Sequence, residues 1–222
     1  MMSSRNACCI TLFLIFFSSF SFAQTSSEHR KNSMGFGLLG AGSHLQLGQD
    51  NGFEFGYIMN EQIQFSISYW QAKIDLGSVI ESPVYEADAE MSGSFFGAGA
   101  RYFTGNSFFF EGGIAQRKQS FSYSFLVEEN STNGEATASA YTLNFAIGNQ
   151  WMIHSGVVLN FNWIGIATPI TNKSSVKSTY KGPFSETIQQ AMASSEDELF
   201  DIVKSASKST SPIISASIGY MF

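Results

Sequence analysis

Gln62-Ile63-Gln64-Phe65-Ser66-Ile67-Ser68-Tyr69-Trp70 alternates strictly: Ile63, Phe65, Ile67 and Tyr69 fall on one side, Gln62, Gln64, Ser66 and Ser68 on the other. Successive side chains on a strand point to opposite faces, so period two marks a β-strand with one large apolar face and one small polar face. The pattern recurs outward from this stretch. Tyr141, Leu143, Phe145 and Ile147 alternate with Ala140, Thr142, Asn144 and Ala146. Val157, Leu159, Phe161 and Trp163 alternate with Val158, Asn160 and Asn162, and Ile214, Ala216, Ile218, Tyr220 and Phe222 with Ser215, Ser217 and Gly219. Weaker runs at 34–42, 51–59, 89–103 and 107–122 bring the number of expected strands to eight.

Connections between these strands alternate in length. Asn60-Glu61, Thr104-Gly105-Asn106 and the region around Met152 to His154 read as tight turns, whereas 43–50, 77–88, 123–135 and about 171–210 read as long links. Hairpins with short turns on one rim and long loops on the other describe an all-β, eight-stranded antiparallel up-and-down transmembrane β-barrel. Both termini then fall on the short-turn rim, the periplasmic side.

Composition agrees with half-lipid, half-polar strands. The chain is 44% hydrophobic and only 14% charged, against about 25% charged in ordinary soluble domains. Its mean hydropathy of +0.01 is nevertheless too low for a bundle of membrane helices. A net charge of −6 disfavours nucleic acid as a partner, since that needs a basic face. Arg5, the apolar run Ile10–Phe22 and Ser21-Phe22-Ala23 have the order of a cleaved signal peptide over residues 1–23. Residues 24–33 are then a periplasmic leader, and 34–222 the barrel domain. Cleavage removes Arg5 and leaves 11 basic against 18 acidic residues. It also removes Cys8 and Cys9, the chain's two cysteines, which excludes a disulfide framework and thiolate chemistry.

Charges within the strands identify the inside. Glu54, Arg101 and Glu111 occupy the small polar face, and an Arg facing lipid near the midplane costs about 2–4 kcal/mol, so all three should face the lumen. Counting back from a turn near Asn106 sets Arg101 opposite Glu111, an expected ion pair that Glu54 extends across the interior. Such a network is either a gate or a packed, charge-satisfied plug; the narrowness of eight-stranded barrels favours the plug. A secreted lipocalin-like barrel would reverse the polarity, but loop asymmetry, midstrand charges and the chain's last residues oppose it.

Those last residues carry a resemblance. Ile214, Ala216, Ile218, Tyr220 and Phe222 share one face of the terminal stretch SASIGYMF. It resembles the final strand of Gram-negative outer-membrane barrels, and the chain from Met34 onward is similar to the small OmpA/OmpX/OmpW-like β-barrel family. The resemblance implies a bacterial outer-membrane location and assembly through the barrel-assembly machinery, with the terminal strand and Phe222 as its signal. It also implies contact with outer-membrane lipids and lipopolysaccharide. A peptidoglycan-binding domain of the OmpA type is not expected after Phe222. Tyr57, Tyr102, Phe103, Phe108, Trp151 and Tyr220 are expected in an aromatic girdle at the periplasmic rim, with Tyr69, Trp70 and Trp163 at the other.

The last long link turns helical between Pro183 and Ala206: Ile188, Met192, Leu199 and Val203 recur at helical spacing, and Ser195 with Glu198 fits a capping box. This segment is a lid or docking site, or a helix packed on the rim. Lys173, Lys177 and Lys181 before it suit lipopolysaccharide phosphates or a solvated face. Catalytic groups are sparse. His154 and Ser155 adjoin, so on a strand they point to opposite faces, and His44 has Glu81, Glu86 or Asp88 as loop partners. No cofactor or metal motif is present. The expectation is a non-enzymatic outer-membrane barrel with a structural, surface or narrow-pore role and loops available for binding. The alternative is a lipid-modifying enzyme, a hydrolase or acyltransferase acting on lipid A or phospholipid.

Overall fold

Within lipid, each backbone N–H and C=O must be bonded inside the protein, and a closed antiparallel ladder meets that demand with strands. A computed structural model of the chain describes residues 26–44, 49–82, 85–127, 130–153, 156–181, 201 and 204–222. Eight strands run in order: β1 (Gly35–Ser43), β2 (Asp50–Ile58), β3 (Ile63–Ser82), β4 (Tyr85–Phe103), β5 (Phe108–Val127), β6 (Asn130–Ile153), β7 (Val157–Lys181) and β8 (Ser211–Met221). Each pairs antiparallel with its chain neighbour, and β8 returns to β1 to close the barrel. The up-and-down eight-stranded barrel expected from the alternation is therefore present. Reciprocal 2.9 Å backbone bonds between Gly35 and Phe222 extend the closing seam to the last residue.

One rim is tight. Asn60 Oδ1 accepts from the amides of Gln62 and Ile63 at 2.9 and 2.8 Å, which closes the turn between β2 and β3. Gly105 turns β4 into β5 at φ 140°, and Gly156 precedes β7 at φ 89°, both in the left-handed region that glycine tolerates. On the other rim two expected loops are absent as loops. Residues 77–82 and 85–88 continue β3 and β4, and 123–127 and 130–135 continue β5 and β6. β7 likewise continues to Lys181 rather than ending near 170. A membrane crossing needs about 9–11 residues, so the 24 residues of β6 and 25 of β7 rise well beyond it. The expected alternation fades there because water on the outside no longer selects apolar residues, while the ladder continues. In the last link, residues 201 and 204–208 are helical. The capping box at Ser195 and Glu198 and the rest of 182–200 lie outside the described residues.

Register sorts the outer wall into rows. Ile63, Tyr102, Phe110, Ile147 and Ile164 align from β3 to β7; above them come Phe65, Ala100, Gly112, Phe145 and Ile166. Next follow Ile67, Ala98, Ile114 and Leu143, then Tyr69, Phe96, Gln116 and Tyr141. Large apolar side chains in this belt stand in the open: Ile114 is 61% exposed, Ile164 and Leu39 each 66%. A belt of this extent is stable only against lipid.

Three expected girdle residues lie elsewhere. Trp70 and Phe103 face the lumen, 4% and 0% exposed. Each adjoins an outward tyrosine, Tyr69 or Tyr102, and neighbours on a strand cannot share a face. Trp163 belongs to the tight-turn half, its ring centroid 6.3 Å from that of Trp151 and its Nε1 donating to Asn149 Oδ1 at 2.8 Å. The upward extension of β7 puts it that low.

Closure depends on close backbone approach at the seam. A Cβ on Gly219 would overlap the carbonyl oxygen of Gly37 and come within 2.7 Å of Leu38 Cα. Gly219→Ala should therefore cost about 3 kcal/mol, the upper end for overpacking. Denaturant titration in micelles measures it, with heat-modifiable gel mobility reporting closure. Stability equal to the parent would show that the seam has slack.

Candidate functional site

The lumen holds the buried charged residues of the strands, in layers that the inward-pointing members of each strand define. At the tight-turn end the floor is apolar: Phe36, Leu38, Ile58, Met152, Val158 and Met221 pack together. Phe103 and Phe109 adjoin, 5.5 Å between centroids. Gln64 Nε2 donates across the lumen to Gln150 Oε1 at 3.1 Å.

A helix over 26–32 closes this end from below. Its Arg30, 1% exposed, donates to the carbonyl oxygens of Glu61 at 2.8 Å, Asn106 at 2.7 Å and Gly105 at 3.1 Å. The guanidinium sits 3.9 Å from the Phe103 ring centroid. Ser26 Oγ accepts from the Met152 amide at 3.0 Å. One cation thus joins the leader to two hairpin turns. Burial lowers the Arg30 pKa to about 10, with Glu61 opposing the shift, so the group stays charged at neutral pH.

Above the floor, the structure brings Glu54, Arg101 and Glu111 together. Arg101 stands opposite Glu111 in the register. Its Nε donates to Glu111 Oε2 at 2.8 Å and its Nη2 to Glu54 Oε2 at 2.7 Å. Arg101 is 2% exposed, and its guanidinium lies 4.9 Å from the Phe109 ring centroid. Ser66, Gly99 and Gly113 occupy the row above Arg101 and line the same cavity as Arg101. That cavity measures about 30 Å³ and is lined among others by the three charged residues, His44, Asn144 and Asn162. It has room for about two waters.

Two features close the upper lumen, and neither is evident from the alternation. His44 Nδ1 lies 3.0 Å from Asp50 Oδ1, its amide donates to Asp50 Oδ2 at 2.5 Å, and its ring stacks on Trp70 at 4.2 Å. The expected partners of His44, Glu81, Glu86 and Asp88, have side chains outside the described residues; in the structure it is Asp50 that holds the ring. Beside Trp70, Phe95, Ala72 and Ala115 complete an apolar layer. Arg117 then donates from Nη2 to the carbonyls of Ala206 at 3.2 Å, Ser207 at 2.9 Å and Ser209 at 2.9 Å, and from Nη1 to Ser211 Oγ. The carbonyls at the end of the 204–208 helix receive a buried cation, the sign that suits a helix C-terminus. Arg117 shares the inward parity of Glu111, the signal that could have revealed it. Arg30 has no such signal, being outside any strand.

Ile214, Ala216, Ile218 and Tyr220 line the outer face of β8, where Ile218 and Tyr220 are more than half exposed to the surroundings. His154 and Ser155 lie outside the described residues.

A closed eight-stranded barrel with an apolar outer belt and a charged interior defines the class: an integral membrane β-barrel with the architecture of the outer-membrane type. No protein-family model matches the chain, and no curated protein matches its sequence. Among solved structures it is similar to CarO of Acinetobacter baumannii, with 9% identity over 86% of this chain and 99% of that one and a TM-score of 0.48. It is also similar to Ail, the attachment invasion locus protein of Yersinia pestis, at 14% identity, 86% and 99% coverage and a TM-score of 0.43. A major outer membrane protein of Thermus thermophilus matches at 8% identity, 85% and 99% coverage and a TM-score of 0.44.

Removing one partner from a buried ion network leaves uncompensated charge, whereas replacing the whole network with apolar groups is often neutral. Arg101→Met should lower stability by about 3–5 kcal/mol, and Glu54→Leu with Glu111→Leu in the same chain should restore most of it. Urea unfolding in micelles decides; a single variant as stable as the parent refutes the coupling. Arg117→Ala should leave the folded barrel intact but speed protease cleavage between β7 and β8 several-fold. Unchanged cleavage would mean that Arg117 does not hold that segment down.

Proposed function

We propose that this protein is a non-enzymatic outer-membrane barrel with a permanently packed lumen, acting through the surface it presents outside the cell. The observation that carries this is the column of side chains along the axis, Arg30, Phe103, Arg101, Trp70 and Arg117, interrupted by a cavity of about 30 Å³ that Arg101 and Trp70 line. A narrow pore needs a continuous wet path, and a hydrolase needs a nucleophile, base and acid converging at one point. The lumen instead joins opposite walls through ion pairs and rings.

In this reading residues 1–23 are a removed signal peptide, the tight-turn rim and both termini are periplasmic, and the β3–β7 extension stands outside the cell. Short periplasmic turns with long outer hairpins are the general arrangement of such barrels. The barrel-assembly machinery recognises β8 through Ile214, Ala216, Ile218, Tyr220 and Phe222. The outward projection of these side chains supports that role. The tall outer wall is the part available to an extracellular partner.

A cysteine in place of outward-facing Ser122 tests the orientation. A membrane-impermeant maleimide should label Ser122→Cys on intact cells. Labelling only after the outer membrane is permeabilised would contradict the orientation. Phe222→Ala should lower the amount of heat-modifiable barrel in outer-membrane fractions at least several-fold; an unchanged yield would remove Phe222 from the assembly signal.

A further inference from the structure

At the tight-turn rim the barrel holds a side chain that no strand supplies. Arg30, on the helix over 26–32, spreads its guanidinium over three carbonyl oxygens: Nε donates to Glu61, Nη1 to Asn106 and Nη2 to Gly105. The Phe103 ring backs the same group, its centroid 3.9 Å from the guanidinium carbon. Carbonyl oxygens with an aromatic face behind them suit a planar, weakly hydrated cation with several donors. The Glu61 carboxylate adds negative charge nearby, and Ser27 Oγ donates to it at 3.5 Å. Ser26 Oγ accepts from the Met152 amide at the end of β6. These anchors lie 31, 75, 76 and 126 residues along the chain from the groups they hold. They come together only once β2 to β6 stand side by side. The strand ladder starts later, at Gly35, and the floor cluster of Phe36, Leu38, Ile58, Met152, Val158 and Met221 packs on itself.

We propose that this rim carries a guanidinium-binding pocket with Arg30 as its tethered ligand, so that helix 26–32 is a latch that seats last and opens first. The pocket belongs to the barrel proper, made by the β2–β3 turn, the β4–β5 turn and Phe103; its occupant arrives from outside the strands. Contacts that form after the strands have assembled do not speed folding, and they slow unfolding. Opening of the latch is a local event that leaves the ladder and the floor cluster in place. The ligand class follows from the acceptors. A guanidinium offers a fork of N–H donors and a charged face for the ring, whereas a urea of the same shape lacks the charge.

The test compares Arg30→Ala with the unaltered full-length barrel in zwitterionic micelles. The variant should keep heat-modifiable mobility and refold within about twofold of the parent rate, yet unfold in urea at least tenfold faster. Millimolar methylguanidinium should then slow the variant's unfolding several-fold by filling the vacated pocket. N-methylurea, its neutral analogue, should not, and neither compound should slow the unaltered chain. Hydrogen exchange on the unaltered chain reads the latch without a variant: amides of residues 30–32 should exchange at least tenfold faster than those of Ile114 and Leu143 in the barrel wall. A variant that unfolds at the parent rate, or whose refolding is slowed or lost, would overturn the latch. Exchange at 30–32 as slow as in the wall would do the same. No effect of methylguanidinium, an equal effect of N-methylurea, or slowing of the unaltered chain as well would overturn the pocket.

Discussion

A strand in lipid has no water to satisfy its backbone, and the closed ladder from β1 round to β8 follows from that constraint. Eight strands are the narrow case: the interior is only wide enough for the side chains that line it. Everything inside is therefore a packing problem solved with small residues beside large or charged ones. Gly99 and Gly113 let β4 and β5 approach, and Gly219 lets β8 approach β1. The outer surface has the opposite problem and solves it with rows of Phe, Ile, Leu and Tyr, which tolerate exposure because the surroundings are hydrocarbon.

Charge follows the same logic. Arg101 is buried where no water reaches it freely, so two carboxylates from β2 and β5 are set against it, tying three strands together through one guanidinium. Arg30 and Arg117 repeat the device at the two ends, with backbone carbonyls as acceptors in place of carboxylates. Arg30, from the leader, collects carbonyls of two hairpin turns; Arg117 collects the carbonyls that end a helix. Three arginines thus hold the bottom, middle and top of a single column.

Alternation made the barrel legible because membrane strands separate two unlike environments at every second residue. Gln62 to Trp70 is a strand by that criterion alone, and the opposition of Arg101 and Glu111 follows from counting around a turn. The signal failed where the environments became alike. Above the belt large apolar residues no longer recur at every second position, so 77–88 and 123–135 read as loops, although 77–82, 85–88, 123–127 and 130–135 continue the strands. Trp70, Phe103 and Trp163 read as girdle residues on residue type alone; parity would have turned the first two inward. The pairing of His44 with Asp50 and the grip of Arg117 on residues 206–209 join distant parts of the chain, which no local pattern encodes.

In the proposed reading the column from Arg30 to Arg117 blocks the barrel. Planar-bilayer recording of the purified, heat-modifiable protein tests it most directly. A filled lumen predicts no stepwise current above the bare-membrane baseline at moderate voltage. Discrete, reproducible conductance steps would contradict it.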